Sequence, residues 1–499
     1  MHLTILARFL GLILLLLSAA MLVTFLVAAA EATQGIVNHA MSATGYSCLI
    51  TGAVGGLFLF LGRSADSSKL LRKEAVGIVG LGWLFAALFG SLPFLFYLEG
   101  GLNFIEAFFE SMSGITTTGS TVIRDLDPYP NSILLWRSLT QWIGGLGILA
   151  LFVALLSMMG ISGKSLLGTE SSLNLGATST SRVKDLTLRL WGVYLGLTIL
   201  SCVGLFVLGL VLRDVNLSFF DALLYSLTVV STAGFAPHNQ SVGFFDSPVI
   251  EVFLIVFMII SSLNMVMVIN MVSLNFKSPV GKTEAKTFGV IVLIAMIIIM
   301  TNFWVTGYAK GFSGLREALF PVVAVSTTTG FATSNYNAWP MCSQCVLMVL
   351  MVIGGCGGST AGGIKVSRVL LALRQVMHEI QHFFRPNQVF SLSLDGQPVD
   401  RQAQAQVMAY LVFVGAITIA STLIVCILEP QIVEFESAAG AVLATFFNIG
   451  PGFGAVGPWK NFAHLNEGTL LFLSLLMLLG RLEVYVIVAL FSKALWRRY

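Results

Sequence analysis

Phe104-IEAFFESMSGITTTG, which closes on Gly119, returns in outline three more times in this 499-residue chain. The later copies are Phe219-FDALLYSLTVVSTAG ending on Gly234, Leu315-REALFPVVAVSTTTG ending on Gly330, and Phe435-ESAAGAVLATFFNIG ending on Gly450. An alanine lies 12 residues before each glycine, at Ala107, Ala222, Ala318 and Ala438, and one residue earlier stand Glu106, Asp221, Glu317 and Ser437. Each segment lies between two apolar stretches long enough to cross a bilayer. Internal repetition on this scale decides the fold, and here it predicts one pore built four times.

Composition sets the environment of the repeats. The chain is 56% hydrophobic and only 10% charged, with a mean hydropathy of +0.89, whereas soluble domains are about one-quarter charged. A hydrocarbon core about 30 Å thick needs roughly 20 apolar residues in a helix. Ten stretches qualify, near 8–30, 45–62, 76–98, 132–158, 189–212, 248–275, 287–308, 345–375, 405–428 and 468–492. Between the members of each of the last four pairs lies a shorter apolar segment of about 12–15 residues, the length of a re-entrant half-helix. The first stretch is too long for a secretory h-region and is expected to remain as an uncleaved helix.

With a cytoplasmic N-terminus, about 20 of the 27 Lys and Arg residues fall on the inner side, as the positive-inside rule expects. Ten crossings return the C-terminus to the same side. Acidic residues lean outward, which predicts a mildly attractive mouth for cations, while the net charge of +3 says little about partners. Of six cysteines, Cys48, Cys202, Cys356 and Cys426 read as packing residues. Cys342 and Cys345 form a lone CxxC, read as a local disulfide or two free thiols, because a zinc ribbon needs a second pair.

The expected fold class is an all-α polytopic membrane protein. A leading transmembrane hairpin over 1–73 precedes four pseudosymmetric units of helix, half-helix, Thr/Gly-rich strand and helix, over 74–187, 188–284, 285–404 and 405–499. No sizeable soluble domain and no nucleic-acid module is evident, so enzymatic and DNA-binding readings lack support. The eighth apolar stretch is interrupted by Gly354-GCGGSTAGGIK, with six glycines in twelve residues. Each costs a helix about 1 kcal/mol relative to alanine, so the helix is expected to unwind. Non-helical backbone at membrane depth survives only where it is buried in protein or lines a cavity. Gly354, Gly355, Gly357, Gly358, Ser359, Thr360, Gly362 and Gly363 therefore read as a flexible gate; a glycine face for close helix packing is the plainer alternative.

A dehydrated monovalent cation needs oxygens in place of its water, and rings of backbone carbonyls supply them. Turning carbonyls of one strand toward an axis suits glycine, and small β-branched threonines keep the strand extended. Thr116–Gly119, Ser231–Gly234, Thr327–Gly330 and Phe447–Gly450 fit, the last least well. Glu106, Asp221 and Glu317 read mainly as N-terminal caps, leaving the partly negative ends of the half-helices aimed at the membrane centre. Ionisable residues inside a span are functional candidates. Arg481 would either face the pore and repel cations or pair with a carboxylate, and Lys365 would act likewise or mark the end of its helix.

SMSGITTTG at 111–119, GGCGGSTAGGIK at 354–365, NIGPGFG at 448–454 and GRLEV at 480–484 resemble the membrane subunit of the Trk/Ktr/HKT superfamily of potassium transporters, most closely its bacterial Trk branch. The resemblance runs from the third helix to the C-terminus, and the leading hairpin is also typical. It implies a potassium-channel-like arrangement around one central pore in the bacterial inner membrane, with K⁺ as the transported ion and no organic cofactor. Carried across, the ion sites are Thr117, Thr118, Gly119, Thr232, Ala233, Gly234, Thr328, Thr329, Gly330, Asn448, Ile449 and Gly450. The glycine-rich loop with Lys365 and Arg481 is then the gate. The resemblance further implies a homodimer and a cytoplasmic ring of nucleotide-binding regulatory subunits of NAD or ATP type. Only one glycine is shared by all four loops, unlike the signature of potassium channels.

Two other readings remain. A symporter coupling K⁺ to H⁺ or Na⁺ would want a carboxylate or histidine in the membrane interior, and Glu483 is the main candidate. An intramembrane zinc protease is suggested by the HExxH of His378, Glu379 and His382, with Asp395 in Leu394-Asp395-Gly396 as a further ligand. That motif lies at or beyond the end of a helix and leaves the four repeats unexplained.

Overall fold

The computed structural model describes residues 3–33, 39–64, 72–158, 179–212, 215–275, 278–385, 392–395, 397–430, 434–482 and 492. A leading hairpin, α1 (Leu3–Thr33) and α2 (Ala40–Leu61), packs along its whole length. α1 also lies against α3 (Arg72–Gly90) and α6 (Asn131–Met158), and α2 against the short α4 (Leu92–Phe96). Four half-helices follow the pattern of the repeats: α5 (Phe104–Ile115), α8 (Phe219–Val230), α12 (Gly311–Ser326) and α16 (Phe435–Phe446). Each is preceded by a helix that packs on it: α3 on α5, α7 (Ser179–Val211) on α8, α11 (Lys282–Thr306) on α12 and α15 (Arg401–Leu428) on α16.

The helix after each half-helix does more, because it also touches the next repeat. α6 lies between α5 and α8, α9 (Pro248–Ser262) between α8 and α12, α13 (Met341–Ile353) between α12 and α16, and α17 (Glu467–Arg481) between α16 and α5. The last contact returns to the first repeat, so the four units close into a ring within one chain. The apolar core runs through it, with Phe109, Phe320 and Met477 fully buried. Many residues on α1, α2, α7 and α11, such as Leu49, Leu200 and Leu293, stay exposed, as lipid-facing surfaces require.

Among the described residues six helices are long and apolar enough to cross a membrane, or seven if a bent pair is one span. The bent pair corrects the single crossing expected over 248–275. α9 stops at Ser262, and α10 (Met265–Val272) leaves at 111°. Asn264 causes the break: its side chain accepts from Val266 N (2.9 Å), capping α10, and donates to Gly357 O (2.8 Å). The stretch over 345–375 also divides, into α13 and α14 (Val366–Phe384), with residues 354–365 between them non-helical. A two-stranded hairpin, β1 (Ser393–Leu394) with β2 (Gln397–Pro398), lies beyond α14. It is the only sheet among the described residues.

The half-helix starts meet expectation in two of three cases. Glu106 with Asn103, and Asp221 with Ser218, form reciprocal capping boxes, which satisfy orphan N–H groups of the first turn. Glu317 does not cap, because α12 begins earlier, at Gly311. Its Oε1 instead accepts from Tyr308 Oη (2.9 Å) and Trp339 Nε1 (3.3 Å). Cys342 and Cys345 are free and exposed, and Cys426, expected to pack, is exposed too.

A buried ion pair braces the first two repeats. Arg137 Nε on α6 donates to Glu110 Oε1 on α5 (2.8 Å), with the side chains 2% and 0% exposed. Arg137 also donates to Ala236 O (3.1 Å) and lies 4.1 Å over the Phe235 ring, while Glu110 accepts from Val122 N (3.0 Å). Removing one partner strands a buried charge. Arg137→Met should therefore cost about 3–5 kcal/mol, read as a large fall in the melting temperature of the detergent-purified protein. Adding Glu110→Gln should lose less than the sum of the two single changes; strict additivity would mean the pair is not coupled.

Candidate functional site

All four half-helices end in the same way. Thr117, Thr232, Thr328 and Asn448 carry φ of 54°, 50°, 54° and 54°. Their N–H groups bond to Gly114, Val229, Val325 and Thr445 O, three residues back, and the next N–H bonds five residues back, to Ser113, Thr228, Ala324 and Ala444 O. This is the paired closure of a Schellman motif, with threonine standing three times where glycine or asparagine is usual. The left-handed region is an outlier for a β-branched residue, so the threonines expected to form an extended strand instead terminate helices, and no strand forms there. The chain reverses abruptly and delivers a glycine two residues later.

Those glycines interlock. Gly119, Gly234, Gly330 and Gly450 have φ of 89°, 80°, 76° and 107°. A Cβ added to Gly119 would strike Ala233 O, one on Gly234 would strike Thr329 O, and one on Gly330 would strike Ile449 O. On Gly450 it would meet Thr118 O at 2.9 Å. Each glycine thus faces the carbonyl that precedes the next repeat's glycine, and the series closes from the fourth repeat to the first. The predicted residues of all four loops come together in one buried ring, with the half-helix C-termini, the partly negative ends, directed at it.

The ring is not strictly fourfold. Thr116 and Thr118 share a hydroxyl–hydroxyl bond (2.7 Å), as do Thr327 and Thr329 (2.8 Å). Where the second repeat has Ala233, Gln141 takes over, donating to Ala233 O (2.7 Å) and accepting from Phe235 N (3.0 Å). Ser120 Oγ donates to Gly450 O (2.8 Å), and Asn448 Nδ2 to Thr118 Oγ1 (2.8 Å) and Met477 O (3.0 Å). Among the described residues the buried Thr117 Oγ1 and Asn448 Oδ1 have no hydrogen-bond partner; the Asn448 amide faces α17, its Nδ2 bonding Met477 O and its Oδ1 lying 3.0 Å from where a Cβ on Gly480 would stand.

On one side, the ring opens to a cavity of about 100 Å³ lined by all four glycines. Among the described residues Arg124, Arg137, His238 and Lys460 also line it, while the carboxylates of Asp221 and Asp125 stand one contact further out, on His238 and Asn239. His238 Nε2 lies 3.2 Å from Asp221 Oδ1. On the rim Asn239 Nδ2 donates to Asp125 Oδ1 (2.7 Å); this bond, with the Asp127 N–H, holds the Asp125 carboxyl below its usual range.

On the other side, the glycine-rich segment is hydrogen-bonded directly to the ring. Gly362 N donates to Thr328 Oγ1 (2.6 Å), Gly363 N to Phe447 O (3.1 Å), and Thr360 Oγ1 lies 3.1 Å from Thr232 Oγ1. Arg481, buried on α17, donates from Nη1 to Thr360 O (2.8 Å). Among the described residues it forms no ion pair, and its Nε and Nη2 have no hydrogen-bond partner. Gly354 (φ 71°), Gly358 (φ 70°) and Gly363 (φ 78°) take left-handed turns. The segment's other edge is held by residues that sequence reasoning passed over. Cys356 N donates to Ser262 O (3.0 Å) and Met265 N to Gly358 O (3.1 Å), while Glu284 Oε1 accepts from Gly357 N (2.6 Å). Gly355 O accepts from Val366 N (3.0 Å), Ser359 Oγ donates to Cys356 O (2.6 Å), and Lys365 Nζ to Ala361 O. Buried Glu110, Arg137 and Gln141 were discoverable as polar residues in otherwise apolar stretches, whereas Glu284 stands between Lys282 and Lys286 in a polar run where nothing local marks it. Glu483 lies outside the described residues.

The HExxH pair does not assemble a metal centre. His378 and His382 share a helix face with ring centroids 6.2 Å apart, but both Asp395 oxygens accept N–H bonds from Gly281 (2.7 Å) and Thr283 (3.0 Å). Among the described residues no three His, Cys, Asp or Glu side chains are placed to hold a metal ion.

Residues 47–498 match the family model TrkH, described as a cation transport protein. The chain is similar to the Trk system potassium uptake protein TrkH of Salmonella typhimurium, at 33% identity over the full length of both. It is 30% identical to the Escherichia coli protein TrkG, with 86% of each chain covered. The crystal structure of the potassium transporter TrkH from Vibrio parahaemolyticus superposes with a TM-score of 0.87 at 30% identity, covering all of both chains.

The interlock predicts an order of tolerance. A side chain at any ring glycine pays on the order of 1–2 kcal/mol for the left-handed backbone. At Gly119, Gly234 and Gly330 it also meets a carbonyl well inside contact distance, whereas at Gly450 the gap is 2.9 Å. Gly450→Ala should therefore melt closest to the wild-type temperature and Gly330→Ala should fall furthest. The reverse order would contradict the ring closure.

Proposed function

Because the chain belongs to the TrkH family of cation transport proteins, we propose that it is a potassium uptake protein whose ions pass through the ring of Gly119, Gly234, Gly330 and Gly450. The observation that carries this reading is the closed cycle of glycine–carbonyl contacts. Backbone oxygens in such a ring can replace a cation's hydration shell. Thr117, Thr118, Thr232, Ala233, Thr328, Thr329, Asn448 and Ile449 complete the ion sites. The unpartnered Thr117 Oγ1 is a further oxygen beside these carbonyls.

Residues 354–363 are the gate. Their hydrogen bonds to Thr232, Thr328 and Phe447 support a closed position beneath the ring. Arg481 adds to the barrier in two ways: it ties down Thr360 O, and its cationic head beside the path repels K⁺. Lys365 ends the segment. The repeats divide at 74–187, 188–284, 285–404 and 405–499, after the leading hairpin. The protein lies in the bacterial inner membrane with both termini cytoplasmic. As part of a Trk system it works with further components: a second copy of itself and a cytoplasmic nucleotide-binding ring that acts on the gate.

The test is ⁸⁶Rb⁺ uptake into liposomes holding the full-length protein. Uptake should follow the Rb⁺ gradient and be blocked by K⁺; a requirement for a Na⁺ or pH gradient would replace the pore by coupled symport. Gly119→Ser should narrow the preference for K⁺ over Na⁺ by about tenfold, the equivalent of roughly 1.4 kcal/mol, in protein that still purifies as a single species. Unchanged preference would remove the glycine ring from selectivity.

A further inference from the structure

Glu284 sits in the first turn of α11 and is only 5% exposed. A carboxylate out of water costs several kcal/mol unless its oxygens are well satisfied. Its Oε1 accepts two backbone N–H groups, from Gly357 (2.6 Å) and from Ser367 (3.0 Å). The first donor lies inside the glycine-rich segment and the second at the start of the helix that leaves it. One oxygen atom thus joins two points ten residues apart, closing the segment into a loop held from a different helix. The rest of the chain fixes the position of that oxygen. Gly281 N and Thr283 N, at the start of α11, are bound by the two oxygens of Asp395, which follows α14 in sequence. The segment cannot swing away from the ring on its Gly357 side while both bonds to Glu284 remain.

We propose that Glu284 is a positioning residue for ion passage: a latch whose carboxylate holds the gating loop closed through Gly357 and Ser367. The inference rests on the reading of residues 354–363 as a gate. Opening exchanges these two N–H donors for other acceptors, and the first turn of α11, clasped by Asp395, transmits a cytoplasmic pull to the loop. Glu284 touches no ion. Its effect is on how often the loop leaves the ring, so selectivity is unaffected.

Glutamine keeps an acceptor oxygen in the same place without the charge, whereas alanine removes it, and Ser367→Pro deletes the Ser367 N–H together with the hydroxyl that also bonds the carboxylate, leaving the Gly357 bond, at a helix start where proline is tolerated. In full-length protein reconstituted in liposomes, Glu284→Ala should raise ⁸⁶Rb⁺ uptake roughly tenfold, the scale expected for losing hydrogen bonds to a charged group, with K⁺ and Na⁺ competition as in wild type. Glu284→Gln should stay near wild-type uptake and Ser367→Pro should fall between. A merely structural carboxylate would not show glutamine rescue together with unchanged selectivity. A variant with 354–363 shortened runs alongside. If it does not raise uptake, the gate reading fails; if it does and Glu284→Ala does not, the latch fails alone. Should Glu284→Ala not purify as a single species, Ser367→Pro decides, and wild-type uptake in it overturns the proposal.

Discussion

A helix that ends inside a membrane leaves up to four carbonyls with no water to satisfy them, and that constraint organises the molecule. Here the solution is the same four times over. The chain turns left-handed at Thr117, Thr232, Thr328 and Asn448, recovers two helix carbonyls through its own N–H groups, and presents a glycine to the neighbouring repeat. Threonine in that conformation is strained, and strain of this kind persists only where the surroundings over-determine it. The surroundings are the other three repeats, since each glycine abuts the next repeat's carbonyl and α6, α9, α13 and α17 each bridge two half-helices.

The glycine-rich segment is under the same constraint. Its unwound backbone has donors and acceptors that lipid cannot satisfy. They are met by Thr328 and Phe447 at the ring, by Ser262 and Asn264 at the break between α9 and α10, and by Glu284. Irregularity in one repeat thus requires irregularity in its neighbour: the 111° bend after Ser262 exposes the backbone and side-chain groups on which the segment rests.

Much of this was legible in the residues. The 12-residue register from alanine to glycine marked the four half-helices, and six glycines in twelve residues marked the interruption between α13 and α14, because both signals are local and repeated. What escaped was single and non-local. Asn264 shares a largely apolar run with Ser261, Ser262 and Asn270, and nothing nearby in sequence says that its partner is Gly357, 93 positions away. Glu317 stands in register with Glu106 and Asp221, yet α12 starts at Gly311, so the shared position no longer lies in the first turn. The threonines were misread because β-propensity describes fit to a pleated sheet, whereas here helix closure sets their torsions. Counting acids over the whole outer side could not say which side chains line the cavity above the ring, where Arg124 and Lys460 stand.

Because the four copies are encoded in one chain, each is free to differ, and they do: Gln141 serves the second loop, Ser120 links the first to the fourth, and Asn448 replaces threonine. The cyclic contact limits that freedom in a particular way. A mutation at one ring glycine is judged by the backbone of the following repeat, not by its own, so tolerated drift has to proceed in adjacent pairs around the circle. A tetramer of identical subunits inherits every change four times at once. This chain inherits it once, next to three unaltered neighbours, and so it can acquire specialised quarters while any single loop is policed by the one beside it.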